Sequence, residues 1–342
     1  MVRVFHLCNT ILNITLSIIC LKIYTFVPER RFSMPNKSLS IRQSFGDTLV
    51  KLARSNPQIY VVSADLKSSV KLSEFARKFP KRFIECGVAE NNAAGVAAGL
   101  AHTGKTVFLA SYSCFSPAIN WATIKQSISY NHSNVKIIGS HSGLLSTALG
   151  STHQMLEDIA LMRSLPNMQV FSPADAYDTQ KIITTIAASP LPAYVRLVRA
   201  NTPLFTDPRT KFTIGIATIL QQGKDITIIG HGPVLHQALT LQSSFSIEII
   251  NCPSIKPLDN ETILKSVKKT GRLIVIEDHQ KNGGLGEAIA TMILESGLSP
   301  KFIHLAIDNR FGQSGHDPNQ LYEHYGISSK NLLDAINKLS ND

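Results

Sequence analysis

The chain has 342 residues, of which 44% are apolar and 17% are charged. This composition excludes a disordered or fibrous protein, and the length can hold two domains of ordinary size. The net charge of +10 is spread along the chain without Lys/Arg blocks, so no motif supports a nucleic-acid partner and none is predicted, and anionic small ligands account for the positive charge equally well. The five cysteines show no CxxC spacing, which favours reduced thiols and a cytoplasmic location.

Residues 1–33 differ from the rest of the chain. They are mostly apolar, but polar residues such as His6, Asn9 and Lys22 interrupt the apolar run. Three interpretations stay open: a targeting segment, a weak membrane anchor, or an extension upstream of a translation start at Met34. We favour the start at Met34.

Beyond residue 40, short β-branched runs alternate with amphipathic segments, which is typical of βαβ units on a parallel sheet. The first series predicts strands at 59–63, 83–85, 106–110, 135–140, 170–172 and 193–197. Its helices are expected at 43–54, after Glu90, and at 118–130, 155–164 and 174–188.

A second series follows a proline-containing stretch that is predicted to be a linker, at 201–214. Its strands are expected at 226–230, 247–251, 273–277 and 302–307, and its helices at 234–242, 261–269, 286–295 and 332–339. The sequence therefore predicts an α/β protein with two doubly wound domains and mainly parallel sheets.

The helix after Glu90 is unusually poor in side-chain bulk, because glycine and alanine dominate it. Asn91 or Asn92 is expected to cap it. Interior glycines such as Gly95 and Gly99 weaken a helix by roughly 1 kcal/mol each. Their use is close approach of another backbone, so we expect this helix at a tight internal or subunit interface.

Polar and aromatic residues follow several predicted strands, where ligands bind in open α/β sheets. They are Asp65, Ser69, Glu90, Tyr112, Phe115, His141, His153 and Arg199. From the residues alone, two roles stay open for each kind of side chain. The aromatic pair fits either a core or a stacking platform, the histidines fit either structural or proton-transfer roles, and the arginines fit either ion pairs or anion binding.

Several short motifs occur in order along the chain. They are Ser63-Ala64-Asp65-Leu66, GVAENNAAGVAAGLA around Glu90, Thr152-His153-Gln154, Glu277-Asp278-His279 followed by GGLG, and RFGQSG at 310–315. Together they resemble the transketolase family of thiamine diphosphate enzymes. The resemblance implies a pyrimidine-binding domain at 34–200 and a transketolase C-terminal domain at 215–342.

The resemblance implies roles for residues on the cofactor side. Glu90 would be the catalytic glutamate that hydrogen-bonds the pyrimidine ring nitrogen of thiamine diphosphate. Tyr112 and Phe115 would flank the pyrimidine ring, and Asp65 would also bind the cofactor.

On the substrate side, the resemblance implies transfer of a two-carbon ketol unit between sugar phosphates. His141 and His153 would be catalytic and would manage proton transfer to and from substrate oxygens. Arg42, Ser69, His141 and Arg199 would contact the substrate phosphate.

One family element is missing from the sequence. Transketolases hold the metal and the diphosphate with a GDG…N motif in an N-terminal domain, and no GDG occurs here. The resemblance is therefore to the C-terminal subunit of a split transketolase. It implies an N-terminal partner subunit that holds Mg²⁺ or Ca²⁺, no metal site in this chain, and homodimerisation giving a heterotetramer.

One position departs from the family pattern. Leu149 stands four residues before His153, where family members usually carry an acid that meets a substrate hydroxyl. The departure points to altered sugar preference or reduced activity. Two other functions stay open: the β subunit of a 2-oxo acid dehydrogenase, and a non-catalytic transketolase-like partner protein.

Overall fold

The computed structural model describes residues 37–341. The predicted leader at 1–33 and the predicted start at Met34 lie outside these residues. Within 37–341, no helix combines the length and the apolar character needed to cross a membrane.

The described residues form fourteen strands, which we number in chain order. They are β1 (Ser38–Ser40), β2 (Ile59–Ser63), β3 (Phe83–Glu85), β4 (Thr106–Tyr112), β5 (Val135–Ser140), β6 (Gln169–Phe171), β7 (Ala193–Arg196), β8 (Asn201–Pro203), β9 (Thr218–Gln221), β10 (Ile226–Gly230), β11 (Ile247–Asn251), β12 (Ser254–Lys256), β13 (Arg272–Gln280) and β14 (Lys301–Ile307).

Two large sheets contain most of these strands. The first has the order β12-β6-β7-β5-β4-β2-β3, and the second has the order β14-β13-β10-β11-β9. All pairings within them are parallel except those of β12 and β9, which run antiparallel at sheet edges. The predicted fold class, α/β with two doubly wound domains and mainly parallel sheets, is confirmed.

Helices connect the strands and cover the sheets. The α-helices are Ile41–Ser55, Ser73–Lys78, Glu90–His102, Trp121–Thr123, Asp158–Arg163, Ala176–Ala187, His236–Leu239, Asn260–Thr270, Leu285–Glu295, Pro318–His324 and Ser329–Asn341. Several begin at a side-chain cap: Ser40 accepts from the Gln43 amide, and Asp175 accepts from the Asp178 amide. The buried faces of these helices pack on strand residues that are mostly Ile, Val and Leu.

The two domains are joined by strand pairing and hydrogen bonds in addition to the linker. β12 comes from the second half of the chain, yet it pairs with β6 and completes the first sheet. At the start of the predicted linker, β8 pairs with β1 as a two-stranded ribbon, and the Asp175 carboxylate accepts hydrogen bonds from the Phe205 and Thr206 amides. Residues 201–206 are thus fastened to the first domain.

The structure corrects two local predictions. Neither Asn91 nor Asn92 caps the small-residue helix Glu90–His102, because the helix already begins at Glu90, with Ala89 in the cap position. Asn91 instead accepts a hydrogen bond from Thr123 Oγ1 at 2.9 Å. The helix expected at 118–130 is one α-turn followed by a π-helix at Ile124–Ser129.

Candidate active site

The carboxyl ends of β2, β4, β5 and β7 are neighbours in the first sheet. Their registers align Ser63 with Ala110, Tyr112 with Ser140, and Gly139 with Arg196. Segments that leave these strands therefore meet at one edge of the sheet, the usual ligand-binding edge of a parallel sheet. Most of the predicted site residues lie on those segments.

Four rings form an aromatic cluster at this edge. The Tyr112 and Phe115 rings are nearly parallel, at 11°, with their centroids 5.9 Å apart. His141 lies against Tyr112 with 3.7 Å between ring centroids, and the His153 ring meets Phe115 edge-on at 5.6 Å. These distances are those of rings in direct contact, so the cluster brings His141 against Tyr112 and His153 against Phe115.

Glu90 is the first residue of the small-residue helix and only 8% exposed. Its backbone carbonyl accepts a hydrogen bond from Asn120 Nδ2 at 3.0 Å, and the same amide contacts Ser116 Oγ at 3.2 Å. Asn120 therefore ties the start of this helix to the turn that follows Tyr112.

The Glu90 carboxylate itself forms no hydrogen bond or ion pair with any other residue between 37 and 341. Asn120 Oδ1 is likewise buried without a partner among those residues. Burial, with a contribution from the nearby Glu90 carboxylate, raises the pKa of the Cys114 thiol to about 11. A carboxylate without a hydrogen-bond partner and a buried amide oxygen without one leave hydrogen-bonding capacity for a ligand.

Arg42 reaches into the cluster from the helix Ile41–Ser55. Its guanidinium donates to the backbone carbonyls of Ser69 at 2.6 Å and Arg199 at 2.8 Å, and lies 3.3 Å from His141 Nε2. Burial and the charge of Arg199 lower the pKa of Arg42. Neither arginine is in an ion pair with another of the described residues, so two cations stand close together without a neutralising acid.

The contacts of His141 identify its tautomer. Arginine can only donate, so His141 Nε2 must accept from Arg42, and Nδ1–H donates to Ser140 Oγ at 2.9 Å. Burial, together with the charges of Arg42, Arg199 and His153, lowers the pKa of His141 to about 3. The ring is neutral at physiological pH and, in this arrangement, an acceptor toward the cations.

Asp65 is exposed two residues beyond β2, with a positive φ of 58°. Its backbone amide donates to Glu85 Oε1 at 2.7 Å. Within residues 37–341, no hydrogen bond or ion pair joins its side chain to the other predicted site residues. The structure thus brings the predicted aromatic, histidine, arginine and serine residues into one contact network, joins Glu90 to it only through Asn120, and leaves Asp65 outside.

Two residues that the sequence reasoning did not single out support this network. Asn120 connects Glu90 to the aromatic turn, and Ser140 orients His141. Ser140 directly precedes a predicted site residue and could have been found from that position. Asn120 gave no such signal, because it fell inside a segment predicted to be an ordinary helix.

The loop after β5 contacts the second domain. Gln154 Nε2 donates to the Gln313 carbonyl at 3.0 Å, and the Gly315 amide donates to the Thr147 carbonyl at 3.0 Å. A side chain at Gly150 would collide with Ser314. The RFGQSG motif at 310–315 therefore lies directly on the loop that carries Leu149 and His153.

Comparison with known proteins identifies the relatives of this chain. The model of the transketolase pyrimidine-binding domain matches residues 37–204, and that of the transketolase C-terminal domain matches 215–332. The chain is 36% identical to a subunit of the apulose-4-phosphate transketolase of Phocaeicola vulgatus, over 87% of this chain and 97% of the relative. The chain belongs to the transketolase family.

Other relatives support the same assignment. A 6-deoxy-6-sulfo-D-fructose transketolase subunit of a Clostridium species is 32% identical, over 88% of this chain and 94% of the relative. A solved structure of a split-gene transketolase, described as an inactive beta4 tetramer, superposes with a TM-score of 0.82 at 37% identity. It covers 88% of this chain and 98% of the solved one. The chain has the two domains of the C-terminal subunit of a split transketolase.

The transketolase pyrimidine domain implies thiamine diphosphate, and the residues present fit its pyrimidine part. Glu90 is largely buried, its carboxylate lies close enough to Cys114 to help raise the pKa of that thiol, and Cys114 belongs to the turn that carries Tyr112 and Phe115. A carboxyl group beside aromatic rings is the donor set that an aminopyrimidine requires.

Proposed function

We propose that this chain is the C-terminal subunit of a thiamine diphosphate-dependent transketolase that transfers a two-carbon ketol unit between sugar phosphates. The proposal rests on one observation. A single edge of the first sheet carries two groups of residues, and the group at each end suits a different part of the reaction. One end is the carboxylate of Glu90, which forms no hydrogen bond within residues 37–341 and lies near the turn that carries Tyr112 and Phe115. The other is the pair of cations Arg42 and Arg199 around neutral His141.

On the cofactor side, Glu90 would hydrogen-bond the pyrimidine ring nitrogen, with Tyr112 and Phe115 packing on the ring and Asp65 as a further contact. Thiamine diphosphate supplies the electron sink for breaking a carbon–carbon bond next to a carbonyl. Asn120 would keep Glu90 in place through its backbone carbonyl. The Glu90 carboxylate is free of hydrogen bonds within residues 37–341, so no contact among them must break before it engages the cofactor.

On the substrate side, Arg42, Ser69, His141 and Arg199 would hold the phosphate. Two unneutralised guanidinium groups favour a multiply charged anion, and arginine matches phosphate geometry. The names of the two relatives above also specify sugars with an anionic group, a phosphate in one and a sulfo group in the other.

The two histidines divide the remaining work in this proposal. The lowered pKa of His141 and its acceptor role toward Arg42 make it a poor proton donor at neutral pH, so we assign it to the phosphate. His153 has its Nδ1 against Thr152 Oγ1 at 2.9 Å and no arginine beside it in the described residues. We assign proton transfer at the substrate oxygens chiefly to His153.

The active form would contain a second kind of subunit. An N-terminal partner would supply the diphosphate-binding domain and Mg²⁺ or Ca²⁺, because the GDG motif is not in this sequence. The related solved chain is described as an inactive tetramer of one subunit type, which supports a need for the partner. We propose a heterotetramer in the cytoplasm.

The small-residue helix supports self-association of this chain. Gly95 and Gly99 are exposed, and a Cβ at either position would meet no other atom within 4 Å. The absence of side chains at these two positions therefore allows no close contact inside residues 37–341. We assign this surface to a subunit interface.

The family matches at 37–204 and 215–332 support the proposed domain limits of 34–200 and 215–342, with 201–214 as the connection. The pairing of β8 with β1 supports grouping the first part of that connection with the pyrimidine-type domain.

Reconstitution tests this function. We expect the purified chain alone to show no ketol transfer and no tight binding of thiamine diphosphate, and both to arise on mixing with the N-terminal subunit. The measurements are turnover of a ketose phosphate with an aldose phosphate, and calorimetric binding of the cofactor. Turnover by the single chain would contradict the split-enzyme proposal. A mixed complex that binds cofactor without turning over sugar phosphates would favour a non-catalytic partner.

A further inference from the structure

We infer that Asp278, in the second domain, is a positioning residue that fixes the substrate loop. We define the substrate loop as residues 141–153, because it begins at His141 and ends at His153. This inference rests on the proposed function for its catalytic consequence. The contact that carries it is a bifurcated hydrogen bond across the domain boundary, from one backbone amide to both oxygens of the carboxylate.

Asp278 lies near the carboxyl end of β13 and is only 3% exposed. Both of its carboxylate oxygens accept from the backbone amide of Leu144, at 3.1 Å for Oδ1 and 3.2 Å for Oδ2. Leu144 is three residues after His141. A hydrogen bond from a backbone amide to a buried carboxylate is one of the stronger kinds in proteins, so the contact fixes the backbone of the loop as it leaves β5.

The sequence of the loop is adapted to this contact. Gly143 has a φ of +72°, and a Cβ at this position would collide with Asp278 Oδ2. The carboxylate can approach Leu144 only because residue 143 has no side chain. The Gly143 amide donates to the Met155 carbonyl at 2.9 Å, so the same point also joins the start of the substrate loop to the segment that follows it.

Asp278 is itself held from the first domain. Arg196, at the end of β7, donates through Nη2 to the Asp278 backbone carbonyl at 2.7 Å. The Nε of the same guanidinium donates to Asp158 at 3.0 Å. Arg196 therefore fixes the backbone of Asp278 independently of its carboxylate, and a change of the carboxylate alone leaves this anchor in place.

The consequence for chemistry concerns the substrate more than the cofactor. His141 and His153 face the proposed sugar phosphate, while Glu90 is attached to Asn120 in a different segment. Loosening Leu144 should displace the histidines without displacing Glu90. Small displacements of substrate-positioning groups reduce rates strongly, by up to roughly 100-fold for about 1 Å.

The test compares Asp278→Ala with Asp278→Asn, which keeps one acceptor oxygen. Asp259→Ala is the matched control: Asp259 is also a buried aspartate of the second domain that accepts backbone amides, from Ala217 and Thr262, but it contacts no substrate-loop residue among those described. The first readout is hydrogen exchange of the Leu144 amide in the full chain without its partner, which needs no activity.

We expect Asp278→Ala to speed exchange at Leu144 by about tenfold or more, Asp278→Asn to retain most of the protection, and Asp259→Ala to leave it unchanged. Unchanged exchange in Asp278→Ala would overturn the inference. Equal loosening in Asp259→Ala would also overturn it, since the effect would then be general destabilisation of the domain.

The second readout uses the reconstituted complex. We expect the KM for the sugar phosphate to rise about tenfold in Asp278→Ala, with cofactor affinity and deuterium exchange at the thiazolium carbon unchanged. Faster Leu144 exchange with an unchanged KM and kcat would overturn the positioning role. If the wild-type complex has no activity, the proposed function fails, and the exchange result alone then decides whether Asp278 fixes the loop.

Discussion

The cofactor end and the substrate end of the site are built in different ways. Glu90, Tyr112 and Phe115 are held by contacts within the first domain, through Asn120 and the turn after β4. The substrate loop is held from outside that domain, by Asp278 at one point and by the RFGQSG motif at another. Residues close in sequence set the first end, whereas residues more than 100 positions apart set the second.

This difference separates two kinds of failure. A substitution at the cofactor end should abolish catalysis by removing a single carboxylate, while the fold persists. Damage at the substrate end should change which substrates bind and how well, and it can originate in the second domain. Variants that affect one end and spare the other therefore test the comparison directly.

The largest expected effect is at the cofactor end. Glu90→Gln removes the group that would engage the pyrimidine, so we expect kcat of the reconstituted enzyme to fall roughly 100- to 10,000-fold. Deuterium exchange at the thiazolium carbon should slow in parallel, with little change in the KM for sugar phosphates. Glu74→Gln, at an exposed glutamate on a short helix, is the control. Wild-type exchange in Glu90→Gln would remove Glu90 from this role.

The next effect is at the substrate end. Arg42→Met should raise the KM for a phosphorylated sugar roughly 10- to 100-fold, because it removes a charged hydrogen-bond donor facing the phosphate. Thiamine diphosphate affinity should hardly change. Arg54→Met, on the exposed side of the same helix, should match the wild type. An equal loss of cofactor affinity in Arg42→Met would show that the two ends are not separable.

The smallest effect is expected from Leu149, which is half-buried in a 3₁₀ turn of the substrate loop. Leu149→Asp restores an acceptor for a substrate hydroxyl, worth about 0.5–1.5 kcal/mol. We expect a shift of about 2- to 10-fold in the kcat/KM ratio for two ketose phosphates of opposite configuration at the third carbon. Leu149→Asn separates hydrogen bonding from charge. An unchanged ratio in an active Leu149→Asp enzyme would show that this side chain does not face the sugar.

The sequence predicted the buried parallel strands better than the strands at sheet edges. Long apolar runs such as β5 and β10 were placed correctly, because buried parallel strands leave a strong signal. The short antiparallel strands β1, β8, β9 and β12 were missed, since three or four residues at a sheet edge show no distinctive pattern.

The candidate site shows the same difference between features with a local sequence signal and features without one. Glu90 lies in a dense local motif and could be singled out from consecutive residues, although Asn120, which holds it, could not. The hydrogen bond from the Leu144 amide to Asp278 could not be inferred, although Asp278 belongs to one of the motifs described above. The two residues are 134 positions apart, and no local sequence pattern connects them. The helix start at Glu90 was missed because the two asparagines were better caps by propensity than Ala89.

The buried Asp278 carboxylate that accepts from Leu144 also affects how the stability of the fold depends on pH. Burial raises the pKa of Asp278 to about 6, against about 4 for an ordinary aspartate, and Arg196 offsets only part of this shift. Between these values the folded chain binds more protons than the unfolded chain, so the free energy of unfolding falls as pH rises from about 4 to 6. Above pH 6, where Asp278 is ionised, its burial therefore lowers the free energy of unfolding by on the order of 3 kcal/mol. The chain would gain stability on mild acidification through this residue, the opposite of what an ion-paired surface carboxylate does.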